Sequence, residues 1–121
     1  MIQLPYIIKK WYKMFNSKNL NGILGCYRED AVLLSTFGEN IKSGREPMIP
    51  YFTDLFSKEQ LSVKFNPSFV VEKMDCAMVM NGYYYFSYKE NDEIVKIKAR
   101  YTFVIENNLI ITQHSSVVPK S

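Results

Sequence analysis

Leu61-Ser62-Val63-Lys64-Phe65-Asn66-Pro67-Ser68-Phe69-Val70-Val71-Glu72 decides the architecture, because here the apolar period changes from that of a helix to two. Leu61, Val63, Phe65, Phe69 and Val71 share one face of an extended chain, and Ser62, Lys64, Asn66, Ser68 and Glu72 share the other. Pro67 lacks the N–H that a ladder needs and marks an expected bulge or edge position. Beyond it, residues 76–88 are apolar or aromatic on both faces, residues 94–105 alternate again, and residues 109–118 finish the chain. Asn91-Asp92 and Asn107-Asn108 are turn signals for long antiparallel hairpins.

Before the change of period the spacing is helical. Leu4, Ile7, Ile8, Trp11, Met14 and Phe15 form one stripe, with Lys9, Lys10 and Lys13 on the remaining surface. Leu20, Ile23, Leu24 and Tyr27 resume the pattern after Asn19, a helix-cap residue type. Ala31 to Thr36 reads as a strand, Gly38 to Gly44 as a turn-rich excursion, and Met48, Ile49, Phe52, Leu55 and Phe56 as a third stripe. Ser43 and Glu46 have capping-box spacing, but a start at Pro47 puts Pro50 in the first turn and predicts an irregular N-terminus. Three helices followed by strands predict an α+β domain over residues 1–121: a cone-like curved antiparallel sheet with the helices on one face and a pocket between. The strand Met78 to Tyr88, apolar on both sides, predicts that the outer sheet face is covered by a second copy, giving a homodimer or higher homo-oligomer.

Composition narrows the function classes. The 121 residues are 47% hydrophobic, enough for one real core, and 15% aromatic, with nine Tyr and eight Phe suited to pocket walls. A formal charge of +3 arises from scattered Lys and Arg, without the basic block of a nucleic-acid partner. Cys26 and Cys76 stand far apart and predict two buried thiols in a reducing compartment. No apolar run approaches a membrane span, and Met1 to Tyr12 lacks a signal-peptide core, so the expected location is cytoplasmic.

Polar groups concentrate in Ile110-Ile111-Thr112-Gln113-His114-Ser115-Ser116-Val117-Val118-Pro119. Strand alternation sends His114 and Ser116 to one face and Gln113 and Ser115 to the other. The first pair is either a pocket site or a polar pair satisfied by neighbouring strands or water. Arg100 shares a face with Lys96, Lys98 and Thr102; it faces solvent, or enters the pocket at one end of a twisted strand and favours a carboxylate. Tyr84, in the Tyr83-Tyr84-Tyr85 run, is a ligand-contact candidate or a packing residue. Metal ligation has little to work with, since zinc sites commonly use several His and this chain has one, with no HExxH or paired-Cys framework. Neither metal nor cofactor is expected.

The element order resembles the nuclear transport factor 2-like superfamily, and within its SnoaL-like members the calcium/calmodulin-dependent protein kinase II association-domain group. The anchors are Phe15-Asn16-Ser17, Tyr27-Arg28-Glu29-Asp30-Ala31-Val32-Leu33-Leu34, Gly44-Arg45-Glu46, Gly82-Tyr83-Tyr84-Tyr85-Phe86, Ala99-Arg100-Tyr101-Thr102-Phe103 and His114-Ser115-Ser116-Val117-Val118-Pro119. The last segment is similar to that of the iota class of carbonic anhydrases. That resemblance implies a lyase that hydrates carbon dioxide reversibly without metal, with Thr36, Tyr51 and Ser116 as its hydroxyl cluster and His114 as the pocket histidine. Gln113 stands where a further histidine is usual, and Val118 where methionine is usual. On this reading the hydroxyls hold water and bicarbonate, and His114 accepts the proton. The alternative is a non-catalytic small-ligand-binding or homo-oligomerisation module, and a third is a SnoaL-like enzyme with a larger organic substrate.

Overall fold

Helical spacing and period-two spacing each produce the element they predict. A computed structural model describes residues 3–119, so the terminal four positions of the expected 1–121 domain lie outside the described residues. The helices are α1 (Tyr6–Asn16), α2 (Leu20–Leu24) and α3 (Met48–Phe56). The strands are β1 (Tyr27–Leu34), β2 (Lys42–Ser43), β3 (Glu59–Phe65), β4 (Val70–Lys73), β5 (Met78–Glu90), β6 (Glu93–Glu106) and β7 (Leu109–Val117). Asn19 caps α2 by accepting from the Gly22 N–H at 2.8 Å. Pro47 precedes α3 and Pro50 falls in its first turn, where the missing donor removes no intrahelical bond.

The strands form one seven-stranded sheet in the order β2-β1-β7-β6-β5-β3, with β4 also on β5. It is mixed, which corrects the antiparallel expectation: β1 runs parallel to β7, because the chain leaves β1 through α3 and returns to its flank only at the end. Asn91, Asp92, Asn107 and Asn108 all have positive φ, as the two-residue hairpins β5-β6 and β6-β7 require. The first strand begins at Tyr27, earlier than the apolar run Ala31 to Thr36 indicates, and Lys42–Ser43 adds a short strand inside the turn-rich excursion. Pro67 lies in the break between β3 and β4, two strands that pair in succession with β5.

The helices are fastened to the inner face of this sheet. Asn16 at the end of α1 clamps β3 by donating to the Val63 carbonyl at 3.1 Å and accepting from the Val63 N–H at 2.8 Å. Arg45, ahead of α3, donates to the Tyr27 carbonyl from Nε at 2.8 Å and also from Nη2. Trp11 is 1% exposed and lies among the rings of Phe15, Phe65, Tyr84 and Phe103, with centroids 5.2 to 6.1 Å away. Gly82 admits this packing: a Cβ there would sit 2.6 Å from the Tyr101 hydroxyl and 3.0 Å from Phe69 Cβ. The two cysteines differ: Cys26 is buried, whereas Cys76, in the polar bend between β4 and β5, is exposed, correcting the expectation of two buried thiols. No described helix is long and apolar enough to cross a membrane.

A core this rich in phenols ties stability to alkaline pH. Burial raises Tyr27, Tyr51, Tyr84 and Tyr101 above the ordinary tyrosine range and pushes the Cys26 thiol up to about 11. Below the ordinary values folded and unfolded chains are equally protonated. Above them the unfolded chain releases protons that the folded chain keeps, so stability falls as pH rises. Urea unfolding should show stability flat up to about pH 9 and then declining by about 1.4 kcal/mol per pH unit for each titrating tyrosine; a stability unchanged between about pH 8 and 11 would contradict the burial of these groups.

Candidate functional site

Strand β7 carries polar side chains to both faces of the sheet, and it does so through a bulge. Val104 pairs with Thr112 but Ile105 pairs with Ile110, leaving Ile111 as the extra residue. Ile110 and Gln113 therefore both point inward, and Ser115 follows Gln113. Gln113 and Ser115 are buried, His114 is exposed and Ser116 half-buried.

On the inner face a chain of hydrogen bonds crosses the core. Trp11 Nε1 donates to Tyr27 Oη at 2.9 Å, and Tyr27 Oη donates to Gln113 Oε1 at 2.5 Å. Gln113 Nε2 donates to Tyr84 Oη at 3.2 Å, Tyr84 Oη donates to Ser115 Oγ at 2.6 Å, and Ser115 Oγ bonds Thr36 Oγ1. The indole N–H can only donate, so it sets the direction of the series as far as Ser115 and orients the Gln113 amide. Between Ser115 and Thr36 either hydroxyl can be the donor.

Thr36 borders a small cavity with Ser35, Tyr51, Tyr84 and Gln113, walled by Trp11, Phe15 and Phe52. Its volume is about 10 Å³, room for roughly one water. Ser35 Oγ is buried there without a hydrogen-bond partner among the described residues, the kind of group a single water satisfies. Tyr51 and Tyr84 are held neutral by burial, and their proton affinity is raised above that of free phenol. The cavity thus offers hydroxyls and an amide but no group that accepts a proton near neutral pH.

On the outer face a larger cavity of about 460 Å³ lies against β5, β6 and β7. Arg100, Ser116, His114, Thr102, Asn81 and Tyr83 contribute to its wall. Register explains the grouping: Tyr83, Arg100 and Ser116 form one cross-strand row, and Asn81, Thr102 and His114 form the next. Arg100 Nε donates to Ser116 Oγ at 3.0 Å, and Thr102 Oγ1 donates to Asn81 Oδ1 at 2.5 Å. No carboxylate borders the cavity, and Arg100 has no ion-pair partner among the described residues. Its two terminal nitrogens remain available as a fork. Lys98 extends the cationic row, its ammonium 4.8 Å from the Tyr83 ring centroid.

The residues singled out in the sequence therefore divide between two places. Thr36, Tyr51 and Tyr84 meet at the inner cavity; His114, Ser116 and Arg100 meet on the outer face, with the sheet between. The hydroxyl that joins Thr36 is Ser115, not Ser116, and Gln113 is the polar centre of the inner series. Alternation places Ser115 and Gln113 together opposite His114; which of the two faces is inner depends on the bulge at Ile111, which no spacing signal announces. Among the described residues no three His, Cys, Asp or Glu side chains cluster as a metal site.

No protein-family profile and no curated protein sequence matches this chain. Solved structures do. A protein described as a calcium/calmodulin-dependent protein kinase II association domain, from Xanthomonas campestris, is 29% identical over 95% of this chain and 85% of its own, with a TM-score of 0.84. A protein described as a dehydratase of the NTF2-like family, from Streptomyces avermitilis, has 10% identity over 94% and 92%, with a TM-score of 0.80. One described as a polyketide cyclase, from Xanthomonas campestris pv. campestris, has 13% identity over 91% and 86%, with a TM-score of 0.67. The mixed curved sheet, the three helices packed inside it and these neighbours make the chain a protein of nuclear transport factor 2-like fold, with a protein described as an association domain among its neighbours in structure.

Proposed function

We propose that this chain is a non-catalytic module that binds a small carboxylate in the outer-face cavity. The observation that carries the reading is the Arg100 guanidinium, braced by Ser116, beside His114 and unopposed by any carboxylate in the wall. A planar fork of donors matches a carboxylate, and Ser116 bound to Nε leaves the opposite edge of the guanidinium for the ligand. A volume of about 460 Å³ is within the range of small-molecule sites. Thr102 and Asn81, already bonded to each other, supply polar contacts in the adjacent cross-strand row.

Metal-free hydration of carbon dioxide draws less support from this geometry. The inner hydroxyls surround space for one water only, and the reaction needs a group to take that water's proton. Ser35, Thr36, Tyr51, Tyr84 and Gln113 do not do so near neutral pH, and His114 faces the opposite side of the sheet.

Assembly is a second reading, favoured by the association-domain neighbour and by Tyr83, 42% exposed on the outer face of β5. Sedimentation over a range of protein concentrations should then give a mass above one chain, lowered by Tyr83→Asp. A single-chain mass throughout would remove this reading while leaving carboxylate binding intact.

Carboxylate binding is tested by calorimetric titration with acetate. Arg100→Gln should weaken binding by about ten-fold or more, the effect of losing a charge-assisted pair of hydrogen bonds. Unfolding stability should change by less than about 0.5 kcal/mol, since Arg100 is exposed and its only bonded partner is half-exposed. Equal acetate affinity in Arg100→Gln and the parent chain would overturn the proposal.

A further inference from the structure

A second cavity, separate from the outer face, lies where the exposed side of α1 meets the end of β3 and the following loop. It measures about 370 Å³ and is walled by Leu4, Tyr12, Phe65 and Phe69, with Lys9 and Lys64 at its border. The apolar wall is built from inside. Phe65 is 9% exposed and stands edge-on to both Tyr12 and Trp11, with centroids 5.4 and 5.9 Å away, so the cavity floor is continuous with the aromatic core. Asn66, also in the wall, has both side-chain polar atoms in hydrogen bonds: Oδ1 accepts from the Ser68 N–H at 2.8 Å and Nδ2 donates to Tyr85 Oη at 3.1 Å.

The polar character of the site therefore rests on two ammonium groups. Lys9 Nζ is held by Gln3 Oε1 at 3.1 Å, and Lys64 has no hydrogen-bond or ion-pair partner among the described residues. No carboxylate borders this cavity. A pocket with aromatic and aliphatic walls and cations at its edge is complementary to a molecule with an apolar tail and one negative end. A second copy of the chain is a poorer occupant, because its formal charge of +3 brings like charge toward the lysines.

We infer that this cavity is a binding site for an amphipathic monocarboxylate, its alkyl or aryl tail against Tyr12, Phe65 and Phe69 and its carboxylate between Lys9 and Lys64. The site is independent of Arg100 and stands or falls apart from the outer-face proposal. Its occupancy is reported by Trp11, the chain's one tryptophan, through the Phe65 ring that both the cavity and the indole contact.

Octanoate, acetate and octan-1-ol are the probes, titrated into the full chain with Trp11 emission and aromatic NMR signals as readouts. Octanoate should bind saturably and shift the Tyr12 and Phe65 signals, while acetate leaves those two unmoved; Phe69 borders both cavities and is not the diagnostic signal. The double substitution Lys9→Gln with Lys64→Gln, at two exposed positions, should weaken octanoate by roughly five- to ten-fold and leave octanol unchanged. Arg100→Gln should leave the octanoate-induced shifts of Tyr12 and Phe65, and the affinity read from them, as they are. Octanol binding as tightly as octanoate, octanoate shifts confined to other residues, an unaltered affinity in the double variant, or groove signals that move with protein concentration alone would each overturn the inference.

Discussion

The buried series of hydrogen bonds from Trp11 through Tyr27, Gln113, Tyr84 and Ser115 to Thr36 is the constraint around which the rest of the structure is arranged. It joins α1, β1, β7, β5 and the segment after β1, so each helix-to-sheet and strand-to-strand contact must respect its geometry. Every member inside the core has to be paired, because a buried polar group left alone costs about 1–3 kcal/mol. The indole N–H at one end directs the series as far as Ser115, and the cavity at the other end leaves space for one water beside Ser35. The hydroxyls of the series are committed to holding the fold, whereas the buried Ser35 and Tyr101 hydroxyls have no hydrogen-bond partner among the described residues.

That commitment explains why the two faces of β7 differ in what they offer a ligand. Gln113 and Ser115 spend their donors and acceptors inside the sheet. His114 and Ser116, one residue along in each case, stand on the outer face next to Arg100, where a guanidinium retains unpaired donors and the wall contains no acid. A one-residue difference on a strand separates polar groups committed to the core from polar groups left on the outer face, which is the consequence of a side-chain period of two.

Much of the fold was legible because each element has a local physical cause. The stripe Ile7, Ile8, Trp11 and Phe15 is the buried face of α1, the alternation Leu61, Val63 and Phe65 is the buried face of β3, and Asn91-Asp92 and Asn107-Asn108 are the turns that join the long strands. The parallel pairing of β1 with β7 was not legible, since it joins residues 80 to 83 positions apart and leaves no periodic trace. Cys76 misled because separation from any paired-Cys motif says nothing about burial; it lies in the bend after β4, next to exposed Met74 and Asp75. At the site, alternation separates His114 and Ser116 from Gln113 and Ser115, but the sequence does not say which pair faces the core. The answer lies in the bulge at Ile111 and in the Tyr27 and Tyr84 hydroxyls, partners supplied from distant strands.

Residue-resolved NMR of the labelled chain during an acetate titration tests whether the proposed carboxylate site lies on the outer face of β7 while the inner face serves the fold. Saturable shifts centred on Arg100, His114 and Ser116 are expected, with Thr36, Tyr84 and Ser115 unmoved. Shifts centred on Thr36, Tyr84 and Ser115, with the outer residues silent, would contradict that placement.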